Sequence, residues 1–244
     1  MSRKPLVQPG FMYGNGVSSG ALIRIFHLLA EKWKPAIEKL EKEYRDAPVR
    51  HADETGWRTD GHNGYAWLFC TVSLSLFKFG KSRSAETPST IMGTEPLSGT
   101  LVVDRYAGYN KMPCAIQYCY AHLLRDLQDI EKKFPQNKEV KAFVGTLAPL
   151  FAQAMDLNRN IDSDADYYRE AKQIQDQMLS HCRAPAKHLG IQTYQNLILD
   201  NEARLFHWVT DRRVPPDNNK AERELRPTVI ARKMSFGSQS PKRR

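Results

Sequence analysis

The chain has 244 residues, of which 41% are hydrophobic and 10% aromatic, so it can bury a sizeable core. Lys and Arg outnumber Asp and Glu by 36 to 27, which gives a formal net charge of +9 at pH 7. A positive excess of this size suits a polyanion such as nucleic acid without proving one. No run of 18 apolar residues and no apolar signal segment are present, which excludes a membrane span and predicts a cytosolic protein.

The four cysteines are Cys70, Cys114, Cys119 and Cys182, too few for a disulfide framework in a chain of this length. They form no Cys-x-x-Cys pair, so a zinc finger is not indicated. Metal binding by Cys119 with His122 would need two further ligands, and Cys114 is badly placed to be one. We therefore expect a reduced protein of a bacterial type.

The predicted elements begin with a helix over about residues 18–44, which Ser18 or Ser19 can cap and which Pro35 kinks or divides. Strands follow at residues 49–53, 99–104 and 115–120, and the aromatic and β-branched segment 65–79 forms one long strand or a hairpin that ends at Gly80. Further helices are predicted over residues 84–92, 121–134, 138–177 (broken near 160–164) and 191–209. Asp217 or Asn218 caps a last helix that continues to about Ile230. The pattern is that of an α/β fold.

Three carboxylates occupy positions that favour catalysis. Asp53 and Asp104 each lie at the end of a predicted strand, where ligand-binding groups of α/β sheets tend to lie, and Glu222 lies in the first turns of the last helix. Converging carboxylates bind hard cations such as Mg²⁺, and two such ions promote in-line phosphoryl transfer. Residues 201–244 carry 11 Lys and Arg against 5 Asp and Glu, which suits a DNA substrate.

Each carboxylate also has an ordinary structural explanation. An Asp after a strand is commonly a turn-former or a helix cap, and Glu222 fits a solvated helix face. Asp60, Asp126 and Glu224 are rival candidates. Glu54 follows Asp53 directly and points to the opposite face of the strand, so only one of these two side chains can line the site.

Five segments of the sequence resemble, in order, those of DDE-type transposases of the insertion sequence 66 family. The first two are His51-Ala-Asp-Glu-Thr-Gly-Trp57 and Val103-Asp-Arg-Tyr-Ala-Gly-Tyr-Asn110. The other three are Cys119-Tyr-Ala-His-Leu-Leu-Arg-Asp-Leu127, Asn218-Asn-Lys-Ala-Glu-Arg-Glu-Leu-Arg-Pro227 and Arg232-Lys-Met-Ser-Phe-Gly-Ser238. One such segment is modest support for the family, but five in the right order are strong support.

The resemblance implies a metal-binding triad of Asp53, Asp104 and Glu222 on a ribonuclease H-like fold. It implies a catalytic domain over residues 47–238 with a helical insertion at about 126–212, after an N-terminal helical segment (1–46) and before a basic tail (239–244). The implied activity is DNA cleavage and strand transfer with two Mg²⁺ or Mn²⁺ ions. The implied partners are transposon ends and target DNA, further copies of the chain and other proteins of the element, in the bacterial nucleoid.

Residues expected to contact DNA lie beside these segments. The DNA-binding candidates are Arg105, Tyr109, His122, Arg223, Arg226, Arg232 and Lys233. Tyr109 could equally pack beneath its loop, the aromatic side chains of the strand segment are expected in the core, and His122 could hydrogen-bond near the site. The Arg and Lys residues of the last helix and its exit form the best candidate for a phosphate-binding stripe.

Two other functions remain open from the sequence. Members of the family are usually longer, with DNA-binding and cysteine-rich parts ahead of the catalytic domain, so we expect a catalytic core truncated at both ends. Such a chain could be a non-catalytic DNA-binding remnant or an inhibitor of a full-length transposase. A ribonuclease H-like nuclease with a different substrate is the weaker alternative.

Overall fold

The computed structural model describes residues 18–238, and its centre is a five-stranded mixed sheet in the order β3-β2-β1-β4-β5. The strands are β1 (Val49–Gly56), β2 (Tyr65–Cys70), β3 (Ser75–Gly80), β4 (Thr100–Val103) and β5 (Ala115–Tyr118). β1 runs antiparallel to β2, which runs antiparallel to β3, whereas β1, β4 and β5 are parallel neighbours. The carboxyl ends of β1 and β4 therefore reach the same edge of the sheet.

Eight α-helices are present among the described residues. They are α1 (Ser19–Asp46), α2 (Glu86–Met92), α3 (Tyr120–Lys133), α4 (Lys138–Asn160), α5 (Asp164–Arg183), α6 (Leu189–Asp200), α7 (His207–Thr210) and α8 (Asn219–Ser235). Short 3-10 helices cover Ala107–Tyr109 and Glu202–Arg204. The chain divides into two compact units, one up to Leu40 and the other from Glu41 onwards. None of the helices in the described range is long and apolar enough to cross a membrane.

One face of the sheet is covered by α8. Ala221 and Leu225 of this helix pack against Leu68 and Cys70 of β2, and all four are buried. These side chains recur at a helical spacing on α8 and at the alternating positions of a strand on β2, so each element buries one apolar side. This packing places the first turn of α8 over the middle of the sheet.

Aromatic side chains fill the opposite face. Trp67 is fully buried and meets Tyr109 edge-on at 6.1 Å between ring centroids, while Phe69 meets Tyr44 at 5.7 Å. The Tyr44 hydroxyl donates to the carbonyl of His51 over 3.2 Å, which ties the end of α1 to β1. Tyr44 and His51 both belong to the second compact unit.

The helices between β5 and α8 build a second apolar cluster. Tyr120 is fully buried and packs edge-on against Phe151 at 5.0 Å and against Trp208 at 5.9 Å. Its hydroxyl donates to the carbonyl of Leu205 over 2.6 Å and accepts a hydrogen bond from Trp208 Nε1 at 2.9 Å. The buried polar atoms of these rings are thus satisfied, as a stable core requires.

The C-terminal end of the described chain returns to the loop between β1 and β2. Ser238 donates its backbone N–H to Arg58 O over 2.8 Å and accepts one from Asp60 at 2.7 Å. Gly237 has φ of +109°, and a Cβ atom there would lie 2.1 Å from Arg58 O. Only glycine fits so close to another backbone, which explains why a glycine occupies position 237, just after α8.

Most predicted elements are confirmed, with four differences in detail. Residues 65–79 form a hairpin rather than one strand, and α1 continues through Pro35. The helix predicted over 191–209 is interrupted after Asp200, because its second half forms a 3-10 turn and the short α7. The last helix ends at Ser235, five residues beyond the predicted Ile230. The mixed α/β architecture, with helices flanking a five-stranded mixed sheet, is compatible with a ribonuclease H-like fold.

Candidate catalytic centre

Asp53 and Asp104 lie at the shared edge of β1 and β4. The parallel register pairs His51 with Val102, and continuing it by two residues brings Asp53 beside Asp104. Asp53 is still within β1, whereas Asp104 is the first residue after β4. Asp104 accepts a hydrogen bond from the backbone N–H of Tyr106 at 2.9 Å, so a tight turn orients its carboxylate.

Glu222 approaches the same edge from α8, and Asn218 sets the position of that helix. Asn218 is buried, and its amide donates to the carbonyl of Ala52 over 2.9 Å. Its Oδ1 lies 2.9 Å from His51 Nδ1, and its backbone N–H donates to Cys119 Sγ over 3.1 Å. Because the amide nitrogen serves Ala52, Oδ1 is the acceptor and His51 the donor. Asn218 therefore joins β1, the start of α3 and the start of α8.

The electrostatics of Asp53 report the proximity of the other two carboxylates. The pKa of Asp53 is raised to about 7, mainly by burial. The charges of Glu54, Asp104 and Glu222 also raise this pKa, whereas a hydrogen bond from the Glu54 backbone lowers it. That N–H, at 2.8 Å, is the hydrogen-bond donor found for the Asp53 carboxylate among the described residues. Concentrated negative charge of this kind favours a bound cation.

Glu54 lies on the other face of β1, as the alternation of strand side chains predicts. Its Oε2 accepts a 2.5 Å hydrogen bond from Tyr109, and its Oε1 accepts one from Arg83 Nε at 2.6 Å. The Arg83 guanidinium also stacks 4.1 Å from the Tyr106 ring centroid and lies 3.9 Å from Asp104 Oδ2. Burial is the main cause that raises the pKa of the Glu54 carboxyl.

Tyr109 corrects one expectation about the DNA groove. Its side chain is fully buried between Trp67 and Tyr106, and its hydroxyl donates a hydrogen bond to Glu54. A ring enclosed in this way cannot line a surface that DNA reaches, so Tyr109 packs beneath its loop. The sequence left this alternative open.

His122 and Arg125 flank Glu222 on the side of α3. His122 Nδ1 lies 3.9 Å from Glu222 Oε1, and Arg125 Nη2 lies 3.4 Å from the same oxygen. The side chains of His122 and Glu222 are each about one-third exposed, at 34% and 33%. Cys119, three residues before His122, is fully buried. Burial is the main cause that raises the pKa of its thiol to about 11, whereas hydrogen bonds from backbone N–H groups, including that of Asn218, lower the pKa.

The remaining DNA-binding candidates divide into paired and exposed residues. Arg105 forms an ion pair with Asp126, and Arg232 donates to Thr55 Oγ1 at 2.7 Å and to the carbonyl of Gly56 at 3.1 Å. The latter contacts fasten α8 to the end of β1. Arg223, Arg226 and Lys233 are exposed on α8, where a phosphate backbone can reach them.

The three rival carboxylates lie apart from this cluster or are engaged by a cation. Asp60 is exposed in a turn with φ of +51°. Asp126 is paired with Arg105, and Glu224 is bound by Lys220 at 2.6 Å. A cavity of about 830 Å³ opens near the start of α8 and the turn between β2 and β3, but its lining includes none of Asp53, Asp104 and Glu222.

Sequence reasoning considered Asn218 only as a possible cap of the last helix, and it assigned no role to Arg83 or Arg125. Asn218 carried a signal, since a polar residue directly before a predicted helix marks its start. That it bridges three segments depends on side chains 167 and 99 residues away and could not be foreseen. Arg83 comes from the loop after β3, where nothing in the local pattern distinguishes it.

These features define an α/β protein with an acidic cluster at the edge of a mixed sheet and cationic side chains around it. Residues 11–243 match the family model described as Transposase IS66 family, which covers nearly the whole chain. The chain therefore belongs to this transposase family, which implies a DNA-processing enzyme. A search of curated proteins finds no match.

Proposed function

We propose that this chain carries out metal-dependent cleavage and strand transfer of DNA, with Asp53, Asp104 and Glu222 as its catalytic carboxylates. The observation that carries the proposal is the electrostatic coupling of Asp53 to both Asp104 and Glu222. Three carboxylates from two strands and a helix are the donor set that two hard cations require. The family match supports a DNA substrate.

In this proposal the fold is ribonuclease H-like, with a catalytic domain over residues 47–238. Support comes from the strand order β3-β2-β1-β4-β5 with β3 antiparallel to β2 and β2 to β1. The helical insertion proposed at about 126–212 would comprise the second half of α3 and helices α4 to α7. The residues up to 46 and the tail 239–244 lie outside that domain, and the tail lies beyond the described residues.

The donor chemistry fits Mg²⁺ or Mn²⁺. Asp53 and Asp104 would hold a shared position, and Glu222 would complete a second one. Ions held there would supply Lewis acidity for the activation of water and for the stabilisation of negative charge on the phosphate. Asp53 is half-buried beside like charges, so a cation would relieve the repulsion between these carboxylates.

The neighbouring residues orient these carboxylates and attract DNA. The Tyr106 backbone fixes Asp104, and Asn218 fixes the start of α8 and hence Glu222. The exposed Arg223, Arg226 and Lys233 supply positive charge for phosphates, which makes DNA binding depend on salt. Tyr109 has no part in DNA binding in this proposal.

The test compares the chain with its Asp104→Asn variant on a supercoiled plasmid that carries the terminal repeats flanking its gene. We expect Asp104→Asn to abolish Mg²⁺- or Mn²⁺-dependent nicking while the circular dichroism spectrum and DNA affinity stay unchanged. Asp176→Asn, an exposed carboxylate on α5, is the matched control and retains nicking. Equal nicking by Asp104→Asn and the parent would contradict the assignment.

The non-catalytic alternative, a DNA-binding remnant or an inhibitor, is not favoured, because the family match spans residues 11–243. It predicts salt-dependent DNA binding without metal-dependent cleavage by the parent chain. The same plasmid assay therefore separates the two functions. Competition between an RNA–DNA hybrid and duplex DNA distinguishes a transposase from a ribonuclease H-like nuclease with a different substrate, since such a nuclease would cleave the hybrid in preference.

A further inference from the structure

Three different kinds of metal ligand meet where α3 and α8 begin. Cys119 directly precedes α3, His122 lies in its first turn, and Glu222 lies in the first turn of α8. One thiol, one imidazole and one carboxylate atom from these residues all lie within 4.8 Å of one another. The thiol and imidazole belong to neighbouring turns of one segment, and the carboxylate is brought to them by tertiary packing.

The two helix starts are held together by two hydrogen bonds, one to the Cys119 thiol and one between backbone groups. The N–H of Asn218 donates to Cys119 Sγ over 3.1 Å, and the N–H of Tyr120 donates to the carbonyl of Pro216 over 2.8 Å. The three side chains are therefore preorganised, which reduces the entropy cost of binding an ion.

The imidazole has spare binding capacity. His122 Nδ1 is buried and has no hydrogen-bond partner among the described residues, although it faces Glu222. Its 3.9 Å separation from Glu222 Oε1 is too long for a hydrogen bond. Ligand atoms around a tetrahedral zinc ion lie roughly 3.3–3.7 Å apart, as follows from bond lengths of about 2.0–2.3 Å. A small side-chain movement would close the gap around an ion.

We propose that Cys119, His122 and Glu222 form a site for a transition-metal ion of the Zn²⁺ class, with water as the fourth ligand. Sulfur and nitrogen donors select Zn²⁺ or Co²⁺ over Mg²⁺, which prefers oxygen. Binding would release the proton of the Cys119 thiol to solvent, and the resulting thiolate and the Glu222 carboxylate would neutralise the charge of the ion. Arg125, which is 58% exposed, releases the Glu222 oxygen and turns into solvent when the ion binds.

Glu222 belongs both to this site and to the proposed catalytic triad. When the Glu222 carboxylate ligates an ion beside His122, it binds a second ion beside Asp53 less tightly. Zn²⁺ is thus expected to compete with Mg²⁺ for the use of Glu222 and to lower Mg²⁺-dependent activity. This consequence rests on the proposed function, whereas the binding site itself does not.

The binding test uses the purified full chain without DNA, titrated with Co²⁺ and followed by absorption. We expect one Co²⁺ per chain, with a sulfur-to-cobalt charge-transfer band and the intense visible bands of tetrahedral Co²⁺. Zn²⁺ displaces the Co²⁺, and excess Mg²⁺ does not. Absence of the charge-transfer band, or displacement by Mg²⁺ as readily as by Zn²⁺, overturns the proposal.

Variants locate the ion. His122→Ala and Glu222→Gln alter half-buried side chains and are expected to weaken Co²⁺ binding by roughly tenfold or more, since loss of even an outer contact to a metal ligand costs 10–100-fold. Cys119→Ser keeps a hydrogen-bond acceptor for Asn218 and is expected to remove the charge-transfer band. The exposed His62→Ala and the half-buried Cys114→Ser are matched controls with unchanged binding. Unchanged Co²⁺ affinity in both His122→Ala and Glu222→Gln overturns the assignment.

Failure of this site and failure of the proposed function give different results. A chain that nicks DNA through Asp104 but shows no cobalt–sulfur band retains the function and loses the metal site. A chain that binds Co²⁺ through His122 but never nicks DNA retains the site and loses the function.

Discussion

The substitution Asp53→Asn tests the charge concentration at the centre of the acidic cluster. Burial and three neighbouring carboxylates raise the pKa of Asp53 from 3.8 to about 7 in the folded chain. Each pKa unit is equivalent to about 1.4 kcal/mol, so ionisation of Asp53 costs the folded metal-free chain roughly 4 kcal/mol once the pH is above 7. Asn is nearly isosteric and cannot ionise, so the variant avoids this cost.

The sign of the pH dependence follows from the raised pKa. The folded state holds its proton more tightly than the unfolded state, so the contribution of Asp53 to stability is fully present below pH 3.8 and is lost as the pH rises through 7. Between pH 5 and 8 the loss is about 2.5 kcal/mol, or roughly 5–10 °C in Tm for a domain of this size. Asp53→Asn therefore gains stability relative to the parent by this amount over the same interval.

The assay is thermal unfolding of the metal-free parent and variant by circular dichroism from pH 5 to 8. His51, whose pKa is lowered mainly by burial, and Glu54, whose pKa is raised mainly by burial, titrate in both proteins, so their effects cancel in the difference. Added Mg²⁺ at pH 8 is expected to stabilise the parent and not Asp53→Asn. The exposed Asp176→Asn is the control and follows the parent. Parallel Tm curves for the parent and Asp53→Asn would refute the reasoning.

Three further substitutions test other contacts. Asn218→Ala leaves buried partners in β1 without their hydrogen bonds and is expected to cost about 2–4 kcal/mol in urea unfolding; a loss below 1 kcal/mol would show that the bridge is dispensable. Gly237→Ala places a Cβ atom against Arg58 O and is expected to release the terminal segment, seen as faster hydrogen exchange there; unchanged exchange would contradict that contact. Tyr109→Phe removes the hydroxyl donor to Glu54 and is expected to cost about 1–2 kcal/mol while leaving DNA affinity unchanged; weaker DNA binding at unchanged stability would restore Tyr109 to the DNA surface.

Local pattern was sufficient for much of the fold. The aromatic and β-branched run that ends at Gly80 predicted β2 and β3, although only the structure decided between a hairpin and one strand. Alternation of side chains along β1 predicted that Asp53 and Glu54 face opposite ways, which the hydrogen bonds of Glu54 with Tyr109 and Arg83 bear out. Five short segments in the right order were enough to identify the family, because membership of a family is recognised from residue identities along the chain.

Errors arose where several weak local preferences compete. Pro35 does not divide α1, because a proline disfavours but does not forbid a helix interior. The last helix passes Pro227 as predicted, but it ends at Ser235 rather than near Ile230. The segment after Asp200 has helical spacing but breaks into shorter turns. There the indole of Trp208 bonds to Tyr120, so tertiary packing decides the course of the backbone.

Residue order and composition were enough to identify three well-spaced carboxylates, a basic surplus and the segments of a transposase family. They could not determine that Asp53 lies beside Asp104, because that depends on the register of two strands separated by about 50 residues of chain. Nor could they bring Glu222 to His122 and Cys119, since that meeting depends on Asn218 joining three distant segments. The local sequence gives the chemistry of each side chain, whereas packing across the whole domain sets the distances between the side chains that form a site.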